Sequence, residues 1–221
     1  EIGTGWGGLA VYAARHYGCQ VTTTTISRAQ WEQARKAVLE AGLEDRVTLL
    51  MEDYRDLTGR YDKLVSVEMI EAVGHEHFDT YFRRCSQLLT DDGLMLLQAI
   101  TIADQRYARA RGRVDFIQRY IFPGGSLPSV SLMTDLMRQL TDMSLLHMED
   151  IGQHYARTLR DWRLAFDAQL EKVRAMQFDE RFIRMWQYYL CYCEGGFMER
   201  SIGTAQLLMA KPNYRPALIT Q

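Results

Sequence analysis

The first eight residues carry the densest chemical signal. Gly3, Gly5, Gly7 and Gly8 put four glycines into six residues, between a strand end and a helix start. Glycine reaches positive φ and lets a ligand approach the backbone closely. A helix start adds N–H groups with no partner of their own. Together these predict a ligand cradle; a mere tight turn would weaken the helix start without return. Gly3, Gly5 and Gly8 also satisfy the dinucleotide pattern G-x-G-x-x-G. That pattern expects an acid about 20 residues later, bonded to the ribose. Here the second strand ends in Thr22-Thr23-Thr24-Thr25, which argues against a nicotinamide cofactor.

Further residues suit an adenosyl ligand. Thr25 and Gln30 lie at the second strand tip and the following helix start, within reach of ribose hydroxyls. Asp53 and Tyr54 follow the third strand. The acid can accept the adenine amino group, and the ring can cover the base. Val67 and Glu68 follow the fourth strand and border the ligand's reactive end. Each residue alone serves equally well as a loop tip or packing contact. Their placement at successive strand ends carries the reading.

The elements that must position these residues alternate. Helices are predicted over Trp6–Tyr17, Ser27–Ala41 and Glu76–Leu89 from apolar periodicity. Ser27 caps the second of these and Gly42 ends it. Strands are predicted over Cys19–Thr25, Val47–Met51, Lys63–Val67 and Leu94–Ile100, with Asp91-Asp92-Gly93 as a turn. This alternation predicts an α/β fold whose parallel sheet is covered on both faces. Sites in such sheets lie at the carboxyl ends of the strands. In the second half, Ala103–Ile121 reads as an Arg-rich helix and Phe122-Pro123-Gly124-Gly125 as a break. Val130–Leu140 reads as a helix, and Tyr155–Met176 and Asp179–Cys193 as long helices. Leu145–Asp150 and Thr204–Lys211 form an antiparallel finish. The helices of Ala103–Ile121 and Asp179–Cys193 suit a lid.

Taken together, several motifs resemble the cyclopropane-fatty-acid synthases and the mycolic acid cyclopropane synthases. They are the glycine turn, Thr25-Ile26-Ser27 with Gln30, Asp53-Tyr54-Arg55-Asp56-Leu57, Glu71 to Gly74, Ile121-Phe122-Pro123-Gly124-Gly125, His154-Tyr155 and Tyr188-Tyr189-Leu190. The resemblance covers nearly the whole chain. It implies a Rossmann-like class I methyltransferase fold, with a seven-stranded, mostly parallel sheet, an antiparallel last strand and a first strand cut short. It implies one methyltransferase domain over residues 1–221, with residues 103–129 and 155–200 covering the substrate. Gly3, Gly5, Thr25, Gln30, Asp53, Tyr54 and Val67 would hold S-adenosylmethionine. The implied reaction moves the sulfonium methyl to a double bond of an unsaturated fatty acyl chain of a phospholipid. A bound bicarbonate then takes a proton as a cyclopropane closes.

Residue by residue, Glu71 matches the family's carboxylate and Tyr189 its tyrosine beside the bicarbonate. Ile100 matches the residue whose backbone N–H holds that anion. Read without the resemblance, Glu71 is an acid at a helix start and Tyr189 a core aromatic. Two positions depart from the pattern. Gln98, in Leu96-Leu97-Gln98-Ala99-Ile100, stands where the family has His, and Ala72 stands where a His follows the glutamate. Glutamine donates a hydrogen bond but relays no proton near neutral pH. Gln98 therefore points to an altered anion site, and to a methyl-branched product as an alternative to the ring. The family's anion-site cysteine would lie upstream of Glu1, and the chain is expected to extend there.

The bulk numbers set limits. The chain has 221 residues, enough for one domain with a full core, and a net charge of −2. That charge argues against a nucleic-acid partner. Cys19, Cys85, Cys191 and Cys193 show no disulfide or zinc spacing, so reduced thiols, no metal and a cytoplasmic setting are expected. No apolar run approaches the roughly 20 residues of a spanning helix, so membrane contact would be peripheral, at the inner face. Oligomeric state is not legible. Two other functions fit the same residues: a small-molecule N- or C-methyltransferase, in which Glu71 orients an amine, and a non-catalytic adenosyl-binding regulator.

Overall fold

A computed structural model describes residues 1–215, so the last six residues of the expected domain lie outside the described residues. The elements run α1 (Gly8–Tyr17), β1 (Val21–Thr24), α2 (Arg28–Ala41), β2 (Val47–Leu50), β3 (Tyr61–Val67), α3 (Phe78–Gln87), β4 (Leu89–Ile102), α4 (Asp104–Arg111), α5 (Phe116–Tyr120), α6 (Val130–Leu140), β5 (Ser144–Asp150), α7 (Gly152–Asp167), α8 (Leu170–Ala175), α9 (Glu180–Met198) and β6 (Ile202–Ala210).

β1 pairs parallel with β2, and β3, β4, β6 and β5 pair in that order, with β6 antiparallel to both neighbours. Ile2 links the two groups. It makes a parallel bridge to Thr24, and its N–H donates to the Val65 carbonyl at 2.9 Å. The expected seventh strand is thus represented by Ile2 between β1 and β3, and among the described residues six strands are formed in full. A ligand site belongs where the strand order reverses. Here that point is the turn after Ile2, between the tips of β1 and β3.

Local chemistry explains the element ends. Ser27 accepts from the Gln30 N–H, and Gly42 adopts φ 64° to close α2. Asp179 accepts from the Phe182 N–H at 2.7 Å and starts α9. Residues Met95, Leu97 and Ala99 of β4 are buried in a cluster with Phe78, Tyr81 and Phe82 of α3 and Met133 of α6. Each large side chain so buried contributes about 1.5–3 kcal/mol. Residues alternate along a strand, so Gln98 and Ile100 face the other way. Ile100 packs there with Leu159 of α7 and with Tyr189 and Leu190 of α9.

Three expectations are corrected, and one expected turn lies inside the span of a strand. Asp91-Asp92-Gly93 falls within the span of β4, where the register jumps from Tyr61–Leu89 to Lys63–Leu94. The chain turns back on itself there as expected: a Cβ on Gly93 would lie 3.1 Å from the Leu89 Cβ and from the Thr90 carbonyl. Short polar residues and glycine suit such a turn. The Arg-rich helix is broken at Gly112 into α4 and α5. The helix expected over Tyr155–Met176 is two, α7 and α8. The helix expected from Glu76 begins as a tight 3-10 turn at His75–His77 and becomes α-helical at Phe78.

Gly7 holds α1 against α2. It has φ 88°, and a Cβ there would lie 2.9 Å from the Ala34 Cβ and 3.1 Å from its Cα. Neither atom belongs to a flexible side chain. Gly7→Ala is expected to destabilise the protein by about 2–4 kcal/mol, from positive-φ strain plus overpacking. Urea unfolding measures this, and an unchanged midpoint would contradict the packing role.

Candidate active site

The glycine turn is held from below. The N–H groups of Gly3 and Thr4 donate to the Thr24 carbonyl at 3.2 and 3.0 Å. Thr4 and Thr23 share a hydroxyl bond of 2.8 Å, and Thr23 donates to the Glu1 carboxylate at 2.6 Å. Gly3, Gly5 and Gly7 all have positive φ. At Gly5 a Cβ would meet nothing within 4 Å, so the turn opens to free space there. No side chain caps the α1 N-terminus, which leaves its amide donors for a ligand. Trp6, Ile26, Met51 and Val67 are all exposed. One lies in the glycine turn and the others at the tips of β1, β2 and β3, so they form an apolar rim.

Other expected contacts are partly engaged within the protein. The buried Thr25 hydroxyl donates to Gln30 Oε1 at 2.8 Å. This leaves the Gln30 amide protons as the donors that the pair can offer. Asp53 is not a free carboxylate. Its Oδ1 accepts from the Arg55 N–H and Nε, both at 2.9 Å, and its Oδ2 from Arg55 Nη2 at 2.7 Å. The Arg55 side chain holds the Asp53 carboxyl below the usual range. Tyr54 meets Tyr81 edge to face at 5.7 Å rather than standing free over a ligand.

The structure brings Glu71, Ile100 and Tyr189 near one another, with Gln98 at the next position on the same strand face as Ile100. A Cβ on Gly3 would lie 3.1 Å from Met69, which sits between Glu68 and Glu71. Glu71 lies on a 3-10 turn, Ile70–Val73. Its Oε1 accepts from the Ile100 N–H at 2.5 Å, while its Oε2 is buried with no hydrogen-bond partner. Burial pushes the Glu71 carboxyl up to about 7, backbone hydrogen bonds oppose this, and Glu68 adds to it. Tyr189 stands edge-on to Trp186 at 5.5 Å and to Phe122 at 6.1 Å. Burial raises its phenol to about 12, so it stays a protonated donor.

Gln98 is placed differently from expectation. Its Nε2 donates to Glu68 Oε1 at 2.8 Å, and its Oε1 accepts from Gln206 Nε2 at 2.8 Å. Glu68 Oε2 accepts from the Tyr155 hydroxyl at 2.7 Å. Glu68 also has φ 52°, unusual for a residue other than glycine. Strain of this kind persists where surroundings over-determine it. Glu68 and Tyr155 thus join the same hydrogen-bonded cluster as Gln98, a link that sequence reasoning did not make. Partners 30 and 87 residues apart leave no spacing to read; the one visible cue was Gln98 where a histidine was expected.

The Ile100 N–H is likewise not free for an anion, because it is given to Glu71. One cavity of about 380 Å³ is lined by Arg83, Ser86, Gln87 and residues 139–142, and a smaller one lies under Ile2; neither is lined by an expected site residue. Among the described residues, no cluster of His, Cys, Asp and Glu could hold a metal, and no helix is long and apolar enough to cross a membrane.

Comparison with known proteins bears on this geometry. A family model described as mycolic acid cyclopropane synthetase matches residues 1–207. A tuberculostearic acid methyltransferase of Mycobacterium tuberculosis is 43% identical over 197 residues, 89% of this chain and 46% of its own. A cyclopropane-fatty-acyl-phospholipid synthase of Escherichia coli is 40% identical over 217 residues, 96% of this chain and 52% of its own. The chain thus spans about half the length of these curated relatives. A mycolic acid cyclopropane synthase structure complexed with SAH and CTAB superposes with a TM-score of 0.86 at 28% identity, covering 95% of this chain and 76% of that one.

Proposed function

The chain belongs to the mycolic acid cyclopropane synthetase family, and from that premise we propose that it transfers the methyl group of S-adenosylmethionine to a double bond of an unsaturated fatty acyl chain of a phospholipid. The product is a cyclopropane or a methyl-branched chain. The observation that carries this reading is Glu71, whose carboxylate has one buried oxygen without a partner and which stands two residues after Met69, the residue that meets Gly3 of the glycine turn. Incubation of the purified protein with methyl-labelled S-adenosylmethionine and unsaturated phospholipid tests it. Label in acyl chains is expected; label that stays on the cofactor would contradict it.

The residues present fit the cofactor. Gly5 leaves open space at the turn, the α1 N-terminus is uncapped, and an apolar rim lines the strand tips. Gly3, Gly5, Gln30 and Val67 would hold it, with Asp53 and Tyr54 at the adenine end. When bound, S-adenosylmethionine supplies a methyl group on a positively charged sulfur that leaves as a neutral thioether. Glu71 places negative charge beside that centre. Tyr189, Phe122 and Trp186 offer ring faces and edges to an acyl chain and to positive charge developing on it. Residues 103–129 and 155–200 would close over the chain and exclude water, which a carbocation requires.

Glu71 also couples binding to pH. Its carboxyl is raised to about 7, and a sulfonium beside it favours the charged form. Glu68, Tyr81 and Tyr155 interact with it electrostatically, and half-buried Tyr189 stays neutral. Below pH 7, binding S-adenosylmethionine is therefore expected to release a proton. Binding the neutral S-adenosylhomocysteine is expected to release less. Calorimetry in buffers of different ionisation heat reads this, and equal release for both ligands would contradict it.

For a peripheral membrane contact, the exposed Arg109, Arg111 and Arg113 lie beside exposed Val114, Tyr120 and Phe122. Arginines at an anionic surface contribute about 1 kcal/mol each. Arg109→Ala with Arg113→Ala is expected to weaken binding to anionic vesicles roughly 10- to 30-fold. An unchanged affinity would move the contact elsewhere. A small amine substrate is the second reading, favoured by the two neighbouring carboxylates Glu68 and Glu71. Label in an amine rather than in lipid would select it.

A further inference from the structure

We propose that Glu71 is itself the base that removes the proton from the alkylated acyl chain, and that the site takes no bicarbonate. This rests on the lipid-methylating reading above and concerns its second step. Two donors expected to hold an anion are already given to carboxylates. The Ile100 N–H binds Glu71 Oε1 at 2.5 Å, and the Gln98 amide binds Glu68 Oε1 at 2.8 Å. The second Glu68 oxygen holds the Tyr155 hydroxyl, so Glu68 is fixed in place. An added anion would need to displace these bonds and sit between two carboxylates, and like charges close together in a buried site are costly.

The same bonds leave one basic atom without a partner. Glu71 Oε2 is buried and accepts nothing, while Oε1 is pinned by Ile100. An unpartnered buried oxygen calls for a functional explanation, and a proton acceptor supplies one. Burial raises the carboxyl to about 7, which suits a general base working near neutral pH. Gln98 cannot relay a proton, but with Glu71 as base no relay through that position is needed. Gln98 instead orients Glu68, and is a positioning residue.

The step balances as follows. The alkene π pair forms a bond to the methyl carbon as the carbon–sulfur bond breaks, leaving positive charge on the neighbouring carbon. One proton leaves the transferred methyl group, and its C–H electron pair closes the ring. If a proton leaves a flanking carbon instead, the pair forms a double bond beside a methyl branch. Either way the proton ends on Glu71 Oε2, and the neutral acid returns it to water after product release. No oxidant or reductant enters.

Turnover by the purified protein is measured in carbon-dioxide-stripped buffer, with and without added bicarbonate. Rates equal within twofold are expected, whereas stimulation of several-fold or more would overturn the proposal. Binding of isotopically labelled bicarbonate to the protein loaded with S-adenosylhomocysteine is followed by NMR. No saturable binding is expected, and saturable binding that is lost in Glu71→Gln would overturn the proposal even without turnover. Absence of lipid labelling under every condition would count against the lipid reading, while the binding result still decides the anion question.

Discussion

Glu71→Gln is expected to lower turnover by about 10²- to 10⁴-fold, the usual contribution of a positioned base, while cofactor affinity changes far less. Glutamine has nearly the same shape and keeps an oxygen to accept from the Ile100 N–H, so the turn over Ile70–Val73 should persist. What it loses is the charge and the free acceptor at Oε2. The pH dependence of stability separates this from a structural role. Burial raises the folded-state carboxyl to about 7, above its unfolded value, so the folded protein binds more protons between the two. Wild-type stability therefore falls as pH rises through that window, by up to about 3 kcal/mol. The glutamine variant lacks this loss but buries an amide without a partner, at about 1–3 kcal/mol. Relative to wild type, the variant should look weakest near pH 5 and recover by pH 8. Urea unfolding at both values, beside steady-state kinetics, measures the two effects. A pH-independent stability difference with turnover unchanged would remove Glu71 from the mechanism.

Gly5→Val is expected to abolish detectable binding of S-adenosylmethionine and S-adenosylhomocysteine. A Cβ at Gly5 meets no protein atom within 4 Å, so the fold has room for it. The side chain instead fills the space from which a ligand would approach the turn. At φ 53° a β-branched residue adds strain of about 1–3 kcal/mol. Gly5→Ala carries less strain and less bulk, and should weaken binding by a smaller factor. Thermal unfolding with and without ligand distinguishes this position from Gly7. The Gly5 variants should keep most of their midpoint but lose the ligand-induced rise. Gly7→Ala should lose the midpoint itself, because its added atom meets Ala34 rather than a ligand. Retained binding in Gly5→Val would mean the glycine turn is not the cofactor cradle.

Much of this was legible in the sequence, for reasons that differ by element. Ser27 and Gly42 bound α2 as expected, because capping chemistry is local. The four strand tips carry the residues that the alternating pattern places there. The turn at Asp91-Asp92-Gly93 was legible, but its place inside the span of β4 was not. Aspartates and glycine announce a turn, and only the pairing of Leu89 with Tyr61 shows that β4 begins before it. The site divides the same way. Glu71, Tyr189 and Ile100 were found through motifs and do cluster. Asp53 and Thr25 were read as free ligand contacts, but Arg55 and Gln30 already engage them. Gln98 was read as standing where the family has His, and its bonds to Glu68 and Gln206 could not be read from spacing. Such long-range partners are fixed by the packing of β4 against α7 and β6, which no local pattern encodes.

Mass spectrometry of phospholipids from cells producing the protein tests the central claim most directly. The account predicts unsaturated acyl chains heavier by one methylene, with the added carbon drawn from methyl-labelled methionine, and none in cells producing Glu71→Gln. An unaltered lipid profile beside a newly methylated small amine would contradict it.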